Sequence, residues 1–259
     1  MTFASESGHW YTRAGAPAYT IIGTNGKTRN TTLRDARKLD LLPSVTTIIG
    51  CAAAPALEYW KQTQVLHAAL TLPTIPGESE KSFLYRIWED SRAQGAAAAA
   101  RGTAIHAAIE KTYSGFPPSE AEAWREHVSG AMGAVAAWVG EENPQETRYG
   151  VEKSFAADVG YGGKCDLHGD LGAGWVLDFK TKEFSESEAP GLKLYDNHAM
   201  QLAAYRYGLG YPHARCAICF VSATVPGLST VIEVPADDLD KAWLMFKSLL
   251  NFWSVKNER

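Results

Sequence analysis

Cysteine is scarce in this sequence, and long apolar runs are missing from it. The four cysteines among 259 residues are Cys51, Cys165, Cys216 and Cys219. So few cysteines favour reduced thiols rather than a disulfide framework. No apolar run approaches about 18 residues, the minimum for a membrane-spanning helix. The N-terminus has no basic start followed by an apolar segment. We therefore expect neither a membrane span nor a signal peptide, and we predict a cytoplasmic protein.

The sequence also lacks a strong excess of charge of either sign. The net charge is −4 and charged residues make up 21% of the chain, so the composition alone does not indicate a nucleic-acid-binding protein. The charge is unevenly distributed, because residues 1–116 carry a net +3 and residues 117–259 a net −7. The densest basic cluster consists of Lys27, Arg29, Arg34, Arg37 and Lys38. It is interpreted either as a solvated charged face or as a patch that contacts phosphates.

The run G-T-N-G-K-T at residues 23–28 resembles the loop with which Mur-type ligases hold ATP phosphates. A phosphate loop needs a helix directly after it, so that the helix N-terminus faces the phosphates. The next residues are mostly poor helix formers, whereas Asn25-Gly26 between β-prone runs favours a hairpin with a type I′ turn. We therefore predict a hairpin here and no ATP site. A helix should begin after an N-cap at Thr32 and be stopped by Pro43.

The pattern changes from helical to strand-like near residue 146. Apolar periodicity and caps predict helices at 44–50, 56–72, 79–100, 101–113 and 119–143. Strands are predicted at 147–159, 162–171 and 174–182, then a helix at 198–210, strands at 214–224 and 228–234, and a closing helix at 236–255. This order predicts an α/β fold with a mixed central sheet flanked by helices and a helical N-terminal portion. We expect a single domain over 1–259, made of 1–43, 44–145 and 146–259.

The most informative stretch is G-G-K-C-D-L-H-G-D-L-G-A-G-W-V-L-D-F-K-T-K-E. Asp178 and Lys180 are two apart in a strand and therefore share a face. Asp166 lies on the preceding strand, and hairpin pairing would bring it beside Asp178. Two carboxylates at one spot repel each other unless a cation lies between them, and Mg²⁺ or Mn²⁺ prefers such oxygen ligands. The alternative interpretation is a surface ion pair between Asp178 and Lys180.

Two helical pairs accompany this stretch. Upstream, His106 and Glu110 are four apart on one helical face, in R-G-T-A-I-H-A-A-I-E. Downstream, Gln201 and Tyr205 are four apart on one face, in Q-L-A-A-Y. A lone helical histidine is most often structural, so His106 gains a functional interpretation only from its combination with the acidic residues.

Taken together, these residues resemble the PD-(D/E)xK nuclease superfamily in its RecB-like branch. The ordered motifs are G-x-x-x-H, then D…D-x-K, then Q-x-x-x-Y. The resemblance is closest to the mitochondrial genome maintenance exonuclease and related phage exonucleases. The matching segments are P-S-V-T-T-I-I-G, A-L-E-Y-W-K, R-G-T-A-I-H, G-G-K-C-D-L, V-L-D-F-K-T and Y-D-N-H-A-M-Q-L-A-A-Y. They cover roughly residues 43–255.

The resemblance implies a restriction-endonuclease-like nuclease core and metal-dependent hydrolysis of DNA phosphodiester bonds. The implied metal ligands for Mg²⁺ or Mn²⁺ are His106, Asp166, Asp178 and the backbone carbonyl of Phe179. Lys180 would orient and polarise the attacking water, while Gln201 and Tyr205 would contact substrate or metal-bound water. Glu152 and Glu110 are accessory candidates, and Arg101 joins the basic cluster as a candidate DNA contact. Asp178 departs from the pattern, since many members have Glu at this position.

Some members of the RecB-like branch hold an iron–sulfur cluster with one early and three late cysteines. Here Cys216 and Cys219 are spaced C-x-x-C, but no further cysteine follows. An offset of three within a strand also places them on opposite faces. We predict that the protein has no iron–sulfur cluster.

The leading interpretation is a Mg²⁺- or Mn²⁺-dependent DNA exonuclease of a phage or bacterium, active in DNA recombination, repair or replication. It would act at the ends of linear DNA, with single-stranded DNA favoured, and a single-strand annealing or binding protein is a candidate partner. One alternative is a non-catalytic DNA-binding module that retains the fold. Another, suggested only by the opening run, is an ATP-dependent ligase or synthetase.

Overall fold

The computed structural model describes residues 9–116, 123–140, 149–170 and 172–259. Its helices are α1 (Leu33–Leu39), α2 (Val45–Ile49), α3 (Pro55–Thr71), α4 (Glu80–Tyr113), α5 (Arg125–Val139), α6 (Asp196–Gly208) and α7 (Ala236–Lys256). Its strands are β1 (Trp10–Tyr11), β2 (Thr20–Ile22), β3 (Thr28–Asn30), β4 (Leu42–Pro43), β5 (Tyr149–Ala157), β6 (Tyr161–Gly169), β7 (Trp175–Lys182), β8 (Arg215–Ser222) and β9 (Ser229–Val234). The predicted helix ends at 119–122 and 141–143, and the predicted strand start at 147–148, lie outside the described residues.

Five strands form the central sheet in the order β5-β6-β7-β8-β9. β7 and β8 run parallel, whereas the other neighbouring pairs run antiparallel. The parallel pair is joined by a connection that contains α6, since parallel neighbours need a crossover. The predicted α/β fold, with a mixed sheet, flanking helices and a helical N-terminal portion, is confirmed at this level. Across the described ranges, none of the helices combines the length and apolar character needed to cross a membrane.

Each face of the sheet is covered by its own hydrophobic core. Cys216 and Ile218 of β8 pack with α6 and α7 on one face, and we name this the α6–α7 core. Ala217 and Cys219 pack with α4 and α5 on the other face, which we name the α4–α5 core. This alternation follows from the two-residue period of a strand. Cys216 and Cys219 therefore lie on opposite faces, as predicted, and Cys165 is buried in the α6–α7 core.

The N-terminal run at residues 20–30 is a β-hairpin, as predicted. β2 and β3 pair with Ile21 opposite Arg29. The predicted type I′ turn is wrong, because Gly26 (φ 73°) has a positive φ and Asn25 does not. Gly26 N instead donates to the carbonyl of Gly23 (2.9 Å), and Lys27 N donates to Asn25 Oδ1 (3.1 Å). A longer loop with a left-handed glycine therefore connects the strands.

Helix α1 begins as predicted but ends earlier. Thr32 and Asp35 form a reciprocal capping box at its N-terminus. The helix ends at Leu39, because Asp40 adopts a left-handed conformation (φ 51°). Pro43 does not stop the helix; it belongs to β4 and pairs with β1. The prediction failed because a short strand pairing decides this boundary, and periodicity does not report such a pairing.

Helix α4 is one continuous element of 34 residues. The predicted boundary between Ala100 and Arg101 is wrong. Alanine has the highest helix propensity, and an isolated glycine inside a helix costs only about 1 kcal/mol, so neither the alanine run nor Gly102 interrupts it. The helix packs against α3 in its first part and passes over β7 in its second part. Its second part carries His106 over the sheet.

Strands β5 and β6 change face together near Glu152. Val151 and Leu167 are register partners that pack in the α4–α5 core, whereas Phe155 and Cys165 pack in the α6–α7 core. Residues an even number apart share a face in a regular strand, so both strands shift phase. Glu152 lies at the shift with a φ of 50°, and the paired register omits it. This conformation costs a non-glycine residue roughly 1–3 kcal/mol.

Candidate functional site

Asp166 and Asp178 lie on neighbouring strands where their ladder opens. The β6–β7 pairing includes Leu167 opposite Leu177 and does not continue to the next pair. Asp166 Oδ2 instead accepts a hydrogen bond from the backbone N–H of Phe179 (2.9 Å). The side chain thus replaces a backbone acceptor, and the predicted proximity of the two aspartates is what the structure shows.

Asp178 is a buried carboxylate with one hydrogen-bond donor and one ion-pair partner. Its Oδ1 accepts a hydrogen bond from Gln201 Nε2 (2.8 Å), and its Oδ2 lies 2.7 Å from Lys180 Nζ. Burial raises the pKa of Asp178 to about 6, and the negative charge of Asp166 adds to this shift. Lys180 and His106 act in the opposite direction, because their positive charges stabilise the charged form of Asp178. The shared strand face predicted for Asp178 and Lys180 is confirmed by their ion pair.

Gln201 and Tyr205 lie behind Asp178. Gln201 Nε2 also donates to Tyr205 Oη (2.9 Å), and both side chains are buried. Burial and the two nearby aspartates raise the pKa of Tyr205 well above its usual value, so the hydroxyl stays protonated. In this arrangement the pair positions Asp178. The predicted contact of Gln201 and Tyr205 with substrate or metal-bound water stays a prediction.

His106 of α4 directs its imidazole ring towards Glu152 of β5 and Asp166 of β6. Its Nε2 lies 2.9 Å from Asp166 Oδ2, and its Nδ1 lies 3.8 Å from Glu152 Oε1. Burial lowers the pKa of His106, but the hydrogen bond and charge of Asp166, together with Glu152 and Asp178, raise it, so that the net pKa is about 9. The pKa of Asp166 is shifted downward: burial raises it, but His106, the Phe179 N–H and the charge of Lys180 together outweigh burial.

Three side chains offer a group of metal-ligand atoms. One ligand atom each from His106, Glu152 and Asp166 lies within 4.8 Å of the other two. The Glu152 carboxylate is buried, with its Oε2 paired with Lys164 and its Oε1 3.8 Å from His106 Nδ1. One imidazole nitrogen and two carboxylates are ligand groups that can hold a metal ion. The geometry thus gives Glu152, predicted only as an accessory residue, a place beside His106 and Asp166.

Asp178 is not a member of that group, although the resemblance implies it as a ligand. Its Oδ1 accepts a hydrogen bond from Gln201, whereas its Oδ2 is ion-paired with Lys180 but accepts no hydrogen bond from the described residues. Phe179 contributes its backbone N–H to Asp166. The ligand roles of Asp178 and of the Phe179 carbonyl stay predictions.

A cleft of about 620 Å³ opens beside these residues. Small residues of α4 form one wall, and polar side chains of the sheet and of α4 line the rest. The lining consists of Ala98, Ala99, Gly102, Thr103, His106, Ala107, Glu110, Glu152, Lys164, Asp166, Phe179, Lys180 and Thr181. Glu110 therefore faces the cleft with His106, as their spacing of four residues predicted.

Lys164 is a cleft residue that the sequence reasoning missed. It forms an ion pair with Glu152 on the neighbouring strand. The opposing charge of Glu152 raises the pKa of Lys164 more than burial lowers it, so the amine stays charged. The signal that could have found it is its position two residues before Asp166 in G-G-K-C-D-L, since residues two apart in a strand share a face.

The predicted DNA-contacting residues differ in how freely their charge is presented. Arg29 makes a bidentate ion pair with Asp35 (2.6 and 2.9 Å), and Arg37 donates to the backbone carbonyl of Asn257 (2.8 Å). Arg101 lies 3.4 Å from Glu183. The remaining members of the cluster are exposed: Lys27, Arg34 and Lys38. The positive charge available to a phosphate is therefore smaller than the sequence cluster indicated, and DNA contact by these residues stays a prediction.

Comparison with known proteins leaves the identity of this site open. No family model matches the chain, and no curated protein matches it. A solved structure described as "Crystal structure of SSO0001" is 12% identical in sequence. The match covers 75% of this chain and 86% of that chain, with a TM-score of 0.24. A similarity this weak carries no argument about fold or function.

Proposed function

We propose that this protein is a metal-dependent deoxyribonuclease with the restriction-endonuclease-like core of the PD-(D/E)xK superfamily. The observation that carries the proposal is one constellation at the end of one cleft. His106, Glu152 and Asp166 group their ligand atoms there, and the Asp178–Lys180 pair lies on the adjacent strand. Carboxylates, a histidine and a lysine around an open cleft are groups that metal-assisted phosphodiester hydrolysis can use.

The donor set favours Mn²⁺ or Mg²⁺ as the cofactor. His106, Glu152 and Asp166 would hold the ion, with Asp178 as the further candidate ligand. Bound there, the ion neutralises charge that develops on a scissile phosphate and activates a water molecule. Mn²⁺ accepts nitrogen ligands more readily than Mg²⁺ does, so a histidine in the set favours Mn²⁺.

Lys180 acts as a hydrogen-bond donor in this proposal. Burial lowers its pKa, but Asp178 and Asp166 raise it, and the net shift is upward. The side chain therefore stays an ammonium group at neutral pH and does not serve as a proton acceptor. Its Nζ is fixed by Asp178 (2.7 Å) and lies at the cleft wall. From there it orients the attacking water or contacts a phosphate oxygen.

The cleft supports a polynucleotide substrate. Its α4 wall is built from Ala98, Ala99 and Gly102, whose small side chains let a sugar-phosphate backbone approach closely. We propose that DNA ends enter here and that single-stranded DNA is preferred, as in the exonucleases that the sequence resembles. A role in phage or bacterial DNA recombination, repair or replication follows from that resemblance alone.

Digestion of end-labelled DNA tests the proposal. Linear and circular substrates, single- and double-stranded, are incubated with Mg²⁺, Mn²⁺ or a chelator. We expect metal-dependent cleavage of linear DNA only, abolished in Asp166→Asn and retained in Asp170→Asn, a matched change at an exposed residue four positions later. Cleavage of circular DNA would show that the protein is an endonuclease and not an exonuclease. Tight DNA binding without cleavage under any condition would favour the non-catalytic module instead.

A further inference from the structure

Lys164 is the ion-pair partner of the Glu152 carboxylate. The two side chains form a direct ion pair between neighbouring strands. The Glu152 side chain is only 11% exposed, whereas that of Lys164 is 37% exposed. Lys164 can therefore leave towards the cleft, but Glu152 cannot follow it without a change in the backbone.

The backbone fixes Glu152 at this position. Its positive φ of 50° lies within a strand, where both β5 and β6 change face. Burial raises the pKa of Glu152 despite the opposing charge of Lys164. A buried carboxylate in a costly conformation needs a cation beside it. In the described structure Lys164 is that cation, with His106 Nδ1 3.8 Å away on the other side.

A divalent cation held by His106, Glu152 and Asp166 would compete with Lys164 for the same carboxylate. The ligand atoms of the three residues, one carboxylate oxygen of Glu152 among them, lie within 4.8 Å of one another, so an ion there shares the Glu152 carboxylate with Lys164, which is paired with Oε2. The divalent ion and the Lys164 ammonium group repel each other when both lie against the Glu152 carboxylate. Lys164 is the more exposed of the paired side chains and is therefore the group that moves.

We propose that Lys164 is a metal-displaced cation that becomes the phosphate-binding residue of the cleft. It pairs with Glu152 while the metal is absent, and it turns into the cleft when the metal binds. There it contacts a phosphate of the nucleic acid one or two positions along from Lys180, on the opposite side of Asp166. This inference rests on the proposed metal-dependent nuclease function and deepens it by naming the residue that couples metal binding to substrate binding.

The first test is metal affinity. Mn²⁺ binding is measured by isothermal titration at pH 8 for wild type, Lys164→Met, Lys164→Gln and Lys153→Met. Lys153 is the matched control, because it lies beside Glu152 on β5 but is exposed and its charge acts on His168. Removal of the competing cation should tighten Mn²⁺ binding roughly 5- to 20-fold in both Lys164 variants. The control should change it less than twofold.

The second test is substrate affinity. Binding of a fluorescent single-stranded oligonucleotide is followed by anisotropy in Ca²⁺, with its integrity checked on a gel. Lys164→Met should weaken binding about tenfold, and Lys164→Arg, which retains a cation, should restore most of it. In chelator, Glu152→Gln should bind the oligonucleotide more tightly than wild type, since it frees Lys164 without metal. If Lys164 had only a structural role, Lys164→Met would not weaken oligonucleotide binding and Glu152→Gln would not strengthen it.

The outcomes separate this inference from the proposed function. A wild-type protein that binds Mn²⁺ and cuts DNA, together with Lys164 variants that bind Mn²⁺ equally or more weakly, overturns the role of Lys164 alone. A wild-type protein that binds no Mn²⁺ up to millimolar concentrations overturns both. Thermal unfolding of each variant shows that it is folded, and the two Lys164 replacements, one apolar and one polar, guard against a folding failure of either.

Discussion

Asp178 shows how one residue combines burial with charge. Its side chain is 2% exposed, and its two oxygens have different partners: Oδ1 accepts a hydrogen bond from the Gln201 amide, and Oδ2 is ion-paired with the Lys180 ammonium group. A buried carboxylate is tolerated only when such partners compensate the loss of water. Asp178 therefore holds Lys180 in place at the cleft wall.

Replacement of Gln201 by leucine should destabilise the protein. The change removes the donor to Asp178 and Tyr205, and it leaves a buried carboxylate oxygen without its hydrogen bond. We expect the free energy of unfolding, measured in urea, to fall by about 1–3 kcal/mol. Gln62→Leu is the control, because Gln62 is exposed on α3 and its replacement should change stability by less than about 0.5 kcal/mol. Equal stability of the two variants would show that the Gln201–Asp178 contact contributes nothing.

Replacement of Lys180 by methionine should separate metal binding from hydrolysis. The proposed ligand group of His106, Glu152 and Asp166 does not include Lys180, so Mn²⁺ should still bind. Loss of the positioned ammonium should slow DNA cleavage by ~10²-fold or more. Lys182→Met makes the same change two residues later, at an exposed position, and should cut at nearly the wild-type rate. A folded Lys180→Met protein with the wild-type rate would remove Lys180 from the active site.

At the scale of elements, the strand pair β5–β6 departs from regular geometry where the site forms. Glu152 carries the departure, with its positive φ, and Asp166 lies across from it on β6. In regular strands, Glu152 and Asp166 would lie on the face opposite to that of their neighbours Val151 and Leu167, because successive residues alternate between the two faces. The phase shift instead brings the Glu152 and Asp166 carboxylates to the side of the sheet on which α4 supplies His106.

At position 152, replacement by asparagine should give a more stable protein than replacement by valine, which is the reverse of the order in a regular strand. β-branched residues favour strands, but they fit a positive φ poorly, whereas asparagine tolerates it. Glu152→Val should therefore be less stable than Glu152→Asn by about 1–2 kcal/mol. Both variants lose the same carboxylate, so the loss of the Lys164 pair cancels in the comparison.

Lys153 supplies the internal control for this prediction. It is exposed on the same strand and has a regular register partner, Cys165. Lys153→Val should be at least as stable as Lys153→Asn in urea unfolding. The same order at both positions would mean that Glu152 carries no backbone constraint.

At the scale of the whole molecule, the pKa of His198 on α6 is set by burial and by charges that other elements carry. Its Nδ1 accepts from the backbone N–H of Tyr195 (3.4 Å), and its ring lies against Phe220 of β8. Burial lowers the pKa of His198 from 6.5 to about 4, and the charges of Lys180 and Lys182 on β7 add to this shift. The folded protein thus holds this histidine neutral.

The pH dependence of stability should report His198. The unfolded chain binds a proton near pH 6.5, whereas the folded protein does so only near pH 4. The stability that His198 contributes is therefore fully present above 6.5 and is lost as the pH falls towards 4, by up to about 3 kcal/mol. His198→Asn should flatten the urea-unfolding profile between these values relative to wild type. Parallel profiles for the two proteins would contradict the shift.

Much of the fold was predictable from local patterns. The Thr32 capping box and the alternation along β8 each depend on residues close in sequence, so a single chain reports them directly. The boundaries at Pro43 and at Ala100 were predicted wrongly. Pro43 belongs to a strand that pairs with β1, and the sequence pattern around it does not report this pairing. The helix continues through Ala100 because the residues around it are strong helix formers.

The sequence by itself determined which residues are available for the site and which face of β7 they occupy, because a strand has a strict two-residue period. It did not determine which charges meet. The phase shift at Glu152 and the continuity of α4 decide that His106, Glu152 and Asp166 come together while Gln201 turns to Asp178. Such contacts join residues far apart along the chain, 95 positions in the case of Trp138 and Glu233, and only the packing of helices against both faces of the sheet fixes them.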